Sequence, residues 1–340
     1  MSEENSTDPH LSVAMTTTRM AQITGENTIR PSSSRGIEFY FYCALVAIGV
    51  VGIAANGLIL YALVASKQHK KHVLIVNQNV LDLFSCIIIV ITSSLQLCKI
   101  YLTGSVGYWL CILFLSDFII WFGSNGSVIN LASITIERYL KVVHSTWSKT
   151  KLRSWMIIIL GNSILVDRIF HVINYNAALV FPTTAVIDGA CYPYVMYASS
   201  AARITEFFVN FLSFYVIILV IFVFAYWRIL VIIRRQATVM ASHAAAGPST
   251  VQAQYHQMQS NVTKTMIFVC AFYAISWMPM YVSLFNIQLN PDHPIFEGDY
   301  YVFMFIAFSY MCTNPFVYAT KFDPVKEVLL RLIPCKKDSG

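Results

Sequence analysis

The stretch FYFYCALVAIGVVGIAANGLILYALVA, residues 39–65, contains no charged side chain. A helix needs about 20 mostly apolar residues to cross a bilayer, and this run is long enough. The whole chain shares the bias, since 57% of its 340 residues are hydrophobic and 12% are charged, against about 25% charged residues in soluble domains. The composition therefore predicts an integral membrane protein. Its net charge of +6 is spread along the chain, without the basic block that indicates nucleic-acid binding.

Comparable runs recur along the chain. Residues 73–98 and 100–136 each carry one acidic residue and no other charge, and three later runs carry none: 207–227, 265–291 and 300–320. A shorter run at 154–166 is interrupted by two charged residues before it resumes. Together these runs predict an all-α membrane protein, a bundle of seven transmembrane helices.

The predicted bundle occupies residues 37–322. Its helices are 39–66, 72–99, 108–141, 152–176, 201–236, 258–288 and 299–320. We expect a disordered extracellular N-terminus over residues 1–36. Residues 323–340 are expected to form a short cytoplasmic amphipathic helix and a tail.

Basic residues concentrate in alternate loops, and this asymmetry predicts the orientation. The loops after the first, third and fifth spans and the C-terminal tail hold most of the lysine and arginine, whereas the last outer loop, NPDHPIFEGDY, is acidic. We therefore expect a plasma-membrane protein with its N-terminus outside the cell and its C-terminus in the cytoplasm. The N-terminus contains Asn5 in an Asn-Ser-Thr triplet, which is a glycosylation acceptor or else part of a bare tail.

Two cysteines fall on the predicted extracellular side, where a disulfide can form and persist. They are Cys111 in the third span and Cys191 in the loop before the fifth span. A bridge between them would hold that loop over the mouth of the bundle, although Cys98 is a competing partner. Cys335 follows the cytoplasmic amphipathic helix, a position suited to palmitoylation, with a free thiol as the alternative.

Polar residues and prolines interrupt the apolar spans, where a buried polar group is costly and usually functional. Asp82 lies in the second span and an Asn314-Pro315 pair in the seventh. Pro279, two residues after Trp277, removes a backbone donor from the sixth span and predicts a kink there. A kink of this kind would let the cytoplasmic half of the helix move as a lever.

The order of these motifs resembles the rhodopsin-like (class A) G-protein-coupled receptors over about residues 38 to 335. The matching positions are Asn56, Asp82, Cys111, Glu137-Arg138-Tyr139, Cys191, Tyr226, Trp277-Met278-Pro279 and Asn314-Pro315-Phe316-Val317-Tyr318. The resemblance implies a cell-surface receptor, not an enzyme, that binds an extracellular ligand and activates a heterotrimeric G protein. Arrestin and membrane lipid are the further partners that it implies.

The resemblance also assigns an activation switch. Its residues are Glu137, Arg138, Tyr139, Tyr226, Trp277, Pro279, Asn314, Pro315 and Tyr318. Glu137 is implied to hold Arg138 at rest, and because Gln259 stands where a second acidic partner is often found, we expect the restraint to rest on Glu137. Asp82, Ser127 and Asn314 resemble a sodium site, with a proton on Asp82 as the alternative.

The positions that the resemblance implies for ligand contact are Asp117, Ile120, Trp121, Ser124, Trp277, Tyr281, Phe285, Met304 and Phe308. Retinal is not expected, because Phe308 occupies the place of the lysine that binds it covalently. An amine held by Asp117 is one alternative, and a structural pair between Asp117 and Arg168 is another. The aromatic side chains and the acidic outer loop favour a peptide or small molecule, with a peptide ahead.

The chain departs from the family pattern at several positions. Ile217 or Ile218 stands where the fifth span usually has a proline, Tyr273 replaces a phenylalanine, and Arg138 follows Cys111 by 27 residues, two more than usual. A transporter or channel is the competing class, but the sequence contains no inverted repeat and no charged path through several spans. No nucleophile motif or metal-binding cluster supports an enzyme.

Overall fold

The computed structural model describes residues 32–70, 72–115, 118–143, 180–187, 189–197, 200–243, 250–289, 297–321 and 323–332. Its α-helices are Ser32–Ala65, Val73–Cys98, Gly104–Leu110, Phe118–Val143, Ser200–Phe211, Ile217–His243, Thr250–Leu289, Glu297–Lys321 and Asp323–Leu332. Two π-helical turns, Cys111–Leu115 and Leu212–Val216, lie between consecutive helices. Two β-strands, β1 (Val180–Ile187) and β2 (Ala190–Tyr197), form a hairpin.

Within the described residues, six helical segments are long and apolar enough to cross a membrane. They are Gly36–Ala65, Val73–Cys98, Gly104–Val143, Phe207–Gln236, Thr263–Asn286 and Gly298–Ala319. We call them the first, second, third, fifth, sixth and seventh spans. The fourth predicted helix, 152–176, lies outside the described residues.

Several helices extend beyond the predicted boundaries. The first begins at Ser32, inside the segment predicted to be disordered. The helix of the fifth span continues to His243, and the helix of the sixth span begins at Thr250. These extensions contain alanine, glutamine, methionine and arginine, which are good helix formers without being apolar enough to enter lipid. Hydropathy locates the part of a helix that lies in the bilayer, so it does not detect such extensions.

The interior of the bundle is an apolar core that also holds buried polar side chains, and its exterior is apolar. The first span packs on the second and seventh, the third on the second and fifth, and the sixth on the seventh. Large apolar side chains such as Val223 and Ile275 are exposed on the outside, whereas Asn56, Asp82 and Asn314 are buried. This distribution is expected where the solvent is lipid, because outward apolar groups lose nothing there and polar groups must find partners inside.

Both π-helical turns lie where the sequence departs from the family pattern. The turn at Cys111–Leu115 interrupts the third span between Cys111 and Arg138. A π-helical turn holds more residues than an α-helical turn, so it takes up part of the extra length between these two residues. In the fifth span the turn at Leu212–Val216 ends two residues before Ile218, so a wide turn forms there without the usual proline.

The hairpin at one end of the bundle was not predicted from the sequence. Its strands are antiparallel, with Val186 opposite Cys191 and Ile187 opposite Ala190, so a two-residue turn joins them. Gly189 in that turn has a φ of +75°, which glycine adopts without strain. An Asp-Gly pair between two apolar runs is a strong hairpin signal, and the sequence has it at 188–189.

Candidate functional site

The hairpin is held over the bundle by one covalent and one backbone contact. A disulfide joins Cys111 at the start of the wide turn in the third span to Cys191 in β2, as predicted, whereas Cys98 is a free, exposed cysteine. The Leu102 N–H donates a 2.8 Å hydrogen bond to the Gly189 carbonyl. A Cβ at Gly189 would lie 2.2 Å from the Tyr101 ring, so only glycine allows the turn to lie this close. We call this end of the molecule the hairpin end.

A column of aromatic rings runs along the fifth and sixth spans toward the bundle interior. Phe285, 39% exposed, lies 6.3 Å from Phe207 between ring centroids. Phe211 lies 6.0 Å from Phe207 and 5.3 Å from Tyr281. Tyr281 in turn lies 6.2 Å from Trp277, which is 3% exposed. The column therefore connects an exposed ring to a buried indole that precedes Pro279 of the sixth span by two residues.

The structure brings together several of the residues predicted to contact ligand. Trp121 of the third span lies 5.8 Å from Trp277 and 6.3 Å from Phe308, measured between ring centroids. Other predicted residues are buried in the same spans: Ile120, Ser124 and Met304. Phe285 instead packs beside the fifth-span phenylalanines, and Asp117 lies outside the described residues.

Trp277 carries a polar group at the bottom of this column. Its indole Nε1 is buried and has no hydrogen-bond partner among the described residues. A buried N–H of this kind is costly to leave unpaired, so it is a natural donor for a group that enters from outside the protein.

Two tyrosines join the fifth and sixth spans by reciprocal hydrogen bonds, and we call this pair of bonds the tyrosine clasp. The Tyr215 hydroxyl donates to the Ala274 carbonyl at 2.9 Å. The Tyr273 hydroxyl donates to the Phe214 carbonyl, which lies in the wide turn of the fifth span. Phenylalanine, the usual residue at the position of Tyr273, could not form the second bond. The departure at Tyr273 therefore adds a bond to the wide turn that directly precedes Ile217 and Ile218.

Asp82 lies fully buried at the centre of a hydrogen-bonded cluster that joins three spans. Its Oδ1 accepts from Ser127 Oγ at 2.7 Å, and its Oδ2 accepts from Asn314 Nδ2 at 2.8 Å. Gln78 Nε2 approaches both carboxylate oxygens, at 3.1 and 3.3 Å, and also contacts Ser127 Oγ. The predicted trio of Asp82, Ser127 and Asn314 is thus brought together, with Gln78 as a fourth member that was not predicted.

This arrangement does not fit the sodium ion that the resemblance implies. A carboxylate offers about four lone-pair directions, and N–H and O–H donors already approach Asp82 four times. Hard cations such as sodium are bound by oxygen atoms, whereas the groups that Gln78 and Asn314 direct at Asp82 are amide nitrogens. We therefore derive no role for the ion in signalling.

The role of Asn56 is explained by Pro315 in the seventh span. Pro315 has no N–H, so the carbonyl four residues earlier, that of Met311, loses its helical partner. Asn56 Nδ2 approaches that carbonyl at 3.5 Å and also donates to the Gly52 carbonyl at 3.0 Å. Asn56 thus joins the first span to the kinked helix, and the packing is close enough that a Cβ on Gly52 would meet Cys312 Sγ at 2.8 Å.

The Glu137-Arg138 pair lies at the opposite end of the bundle, which we call the Arg138 end. Glu137 is 6% and Arg138 4% exposed. The Glu137 carboxylate pairs with Lys141, and Arg138 Nη2 donates to His72 Nδ1 at 3.2 Å. This differs from the expectation that Glu137 holds Arg138. The reason is helical geometry, since side chains four residues apart share a face and consecutive ones do not.

Three other switch residues, all tyrosines, lie toward the same end. The Tyr226 hydroxyl lies 3.1 Å from Thr135 Oγ1, and this contact joins the fifth span to the third. The Tyr139 ring lies 5.7 Å from the Phe224 ring, and Tyr318 is buried in the seventh span.

Two residues of the site were not predicted, and only Gln78 had a signal in the sequence. Gln78 lies in an Asn-Gln-Asn run inside an otherwise apolar span, four residues before Asp82 and therefore on the same helix face. His72 directly precedes the second span and gives no pattern that points to Arg138.

Comparisons with known proteins agree with this geometry. The chain matches the family described as 7 transmembrane receptor (rhodopsin family) over residues 55–318. It is 24% identical to neuropeptide Y receptor type 2 of Mus musculus over 309 residues, covering 87% of this chain and 76% of the relative. It is 23% identical to the same receptor of Homo sapiens over 317 residues, with the same coverage of 87% and 76%.

Among solved structures the chain is similar to squid rhodopsin, with a TM-score of 0.70, 17% sequence identity and 89% of each chain covered. At this identity the likeness establishes the shared fold alone. The family match covers most of the chain, from the first span to the seventh, and favours a receptor over the transporter alternative. The chain therefore belongs to the rhodopsin family of seven-transmembrane receptors and is a G-protein-coupled cell-surface receptor for a peptide or small-molecule ligand.

Proposed function

We propose that the receptor is activated by an extracellular peptide, with its hairpin end outside the cell and its Arg138 end in the cytoplasm. The distribution of charge supports this orientation. Lys67, Lys70, Lys141, Arg234 and Arg235 all lie at or beyond the Arg138 ends of their spans. Short loops rich in lysine and arginine stay on the cytoplasmic side during insertion.

The hairpin is the feature that favours a peptide ligand over a smaller molecule. Among the described residues β1 and β2 form a two-stranded sheet, so each strand has one edge turned away from its partner. An extended peptide can add to such an edge through backbone hydrogen bonds, while its side chains reach neighbouring surfaces. The disulfide and the Leu102–Gly189 bond fix the hairpin beside the bundle, which lowers the entropy cost of binding.

The chemistry of the bundle suggests which kinds of side chain the entering part of the peptide carries. The column from Phe285 to Trp277 offers aromatic surface, and the unpaired Trp277 N–H suits a carbonyl or amide oxygen. Asp299 is exposed at the start of the seventh span and would attract a basic side chain. These features fit a peptide with aromatic and basic residues near one terminus. The curated relatives, by name, are receptors for neuropeptide Y, a peptide.

The tyrosine clasp and Pro279 provide a route by which ligand binding would change the conformation of the Arg138 end. Pro279 interrupts the hydrogen bonding of the sixth span, and Tyr273 and Ala274 lie on its Arg138 side. Rotation of that half away from the fifth span would break both bonds of the clasp. The same movement would open the Arg138 end, free Arg138 from His72 and present it to the G protein, and arrestin would use the same opening.

Two predicted modifications belong to this orientation. Asn5 would carry an N-linked glycan outside the cell, and Cys335 would carry a palmitoyl group that holds the amphipathic helix Asp323–Leu332 at the lipid surface. A mobility shift on glycosidase treatment that Asn5→Gln removes checks the first. Hydroxylamine-sensitive acyl labelling that Cys335→Ser removes checks the second.

The test has two parts in intact cells. An epitope at the N-terminus should be stained without permeabilisation, and one at the C-terminus only after it. G-protein dissociation is then screened with peptides that carry aromatic and basic residues at either terminus and, in parallel, with biogenic amines. A peptide response that Trp277→Ala weakens supports the proposal. An amine response that Asp117→Asn removes at unchanged surface expression would instead establish the amine alternative.

A further inference from the structure

Gln78 occupies a central place in the polar cluster without belonging to the predicted switch. It is fully buried in the second span, one helical turn before Asp82. Its amide contacts Asp82 in the second span and Ser127 and Asn130 in the third. Asp82 also accepts a hydrogen bond from Asn314 of the seventh span, so Gln78 and Asp82 together join the second, third and seventh spans.

The orientation of the Gln78 amide is fixed by a chain of contacts that ends at a backbone carbonyl. Asn130 Nδ2 donates to the Leu74 carbonyl at 3.0 Å, and a carbonyl can only accept. The same Nδ2 contacts Gln78 at 2.8 Å, so the Gln78 atom that faces it must be the acceptor Oε1. The opposite atom of that amide, Nε2, must then face Asp82. Asn77 Nδ2, which donates to Asn130 Oδ1 at 3.0 Å, supports the same orientation.

This orientation places partial positive charge where a cation would otherwise lie. A buried carboxylate needs a cation, a proton or several hydrogen-bond donors. Here Gln78 supplies donors to both carboxylate oxygens and also approaches Ser127 Oγ, an oxygen that a cation would need. A sodium ion would have to displace this amide and separate it from Asn130 as well.

We propose that Gln78 replaces a monovalent cation at Asp82, so that the resting receptor does not bind sodium. Gln78 acts here as a positioning residue that holds Asp82 against Ser127 and Asn314. The inference goes beyond the proposed peptide agonist and does not depend on it. It predicts that sodium becomes a ligand only when the amide is removed.

The test uses the full-length receptor in neutral phospholipid nanodiscs, without agonist. Thermal unfolding is followed by the reaction of the buried cysteines Cys86, Cys270 and Cys312 with a fluorogenic thiol reagent. Sodium chloride is exchanged for choline chloride at constant ionic strength. The unmodified receptor should unfold at the same temperature in both salts. Gln78→Leu should gain about 3 °C for each tenfold increase in sodium above its dissociation constant.

Two further variants make the result specific. Adding Asp82→Asn to Gln78→Leu should remove the gained sodium dependence. Asn79→Leu is the matched control, because it deletes a neighbouring buried amide that bonds to the Ile75 carbonyl, and it should not create a response to sodium. A sodium-specific stabilisation of the unmodified receptor that Asp82→Asn abolishes would overturn the proposal. Absence of any response in a folded Gln78→Leu variant would also overturn it, since the amide would then not be what excludes the ion.

Discussion

Removal of one hydroxyl from the tyrosine clasp should raise the activity of the receptor without ligand. Tyr273→Phe keeps the ring, which lies 5.5 Å from Tyr310 and 6.3 Å from Trp277, and deletes only the bond to the Phe214 carbonyl. Because Tyr273 lies on the Arg138 side of Pro279, this bond must break when that half of the sixth span moves outward. Its loss therefore destabilises the closed state more than the open one.

The size of the effect follows from the energy of one buried hydrogen bond. Such bonds contribute about 0.6 kcal/mol on average inside membrane proteins and about 1 kcal/mol in soluble ones. Shifting a two-state equilibrium by this amount changes the ratio of open to closed receptor by roughly three- to fivefold. Tyr215→Phe removes the other bond, which is 2.9 Å long, and should act in the same direction. The two changes share one contact, so their effects need not add.

The assay is ligand-independent G-protein activation, normalised to the amount of receptor at the cell surface. Tyr281→Phe is the control, because it deletes a tyrosine hydroxyl on the other side of Pro279, outside the clasp. We expect a raised baseline for Tyr273→Phe and Tyr215→Phe and an unchanged one for Tyr281→Phe. A baseline for Tyr273→Phe that is unchanged or lowered, at normal surface expression, would refute the role given to the clasp.

Three further predictions concern other contacts. His72→Ala should raise basal signalling about threefold by removing the Arg138 contact. This increase should be larger than that of Glu137→Gln, because the Glu137 carboxylate pairs with Lys141. A larger increase for Glu137→Gln would restore Glu137 as the main restraint on Arg138. Cys111→Ser should release the hairpin and weaken peptide affinity at least about tenfold, and unaltered affinity in competition binding would mean that the hairpin does not contact the ligand. Trp277→Ala should blunt the agonist response while leaving surface expression largely intact, and a loss of expression alone would assign Trp277 to packing.

The fold could be predicted because lipid imposes a simple condition on sequence. Each span must be long and nearly uncharged, so residues 39–65 already indicate a helix that crosses the membrane. The ends of the helices could not be placed as well, since the segments near His243 and Thr250 are polar and form helix for a different reason. The hairpin was not predicted, although the Asp-Gly pair at 188–189 is a hairpin signal; only a loop around Cys191 was expected.

The candidate site was predictable where a residue belongs to a recognisable motif. Asp82, Ser127 and Asn314 come together as expected because all three occupy matching positions on the inward faces of their spans. Gln78 was not predicted, since a single neutral amide barely changes hydropathy and its role depends on contacts with another span. The partner of Arg138 was also not predictable, because His72 reaches it from a different helix.

We propose that the described geometry couples an extracellular ligand to a G protein through Arg138. The most direct measurement is guanine-nucleotide exchange on a purified heterotrimeric G protein added to membranes that contain the receptor. We predict exchange that depends on the receptor, increases with agonist and is lost in Arg138→Ala at equal surface expression. Exchange that continues undiminished in Arg138→Ala would show that Arg138 does not couple the receptor to the G protein.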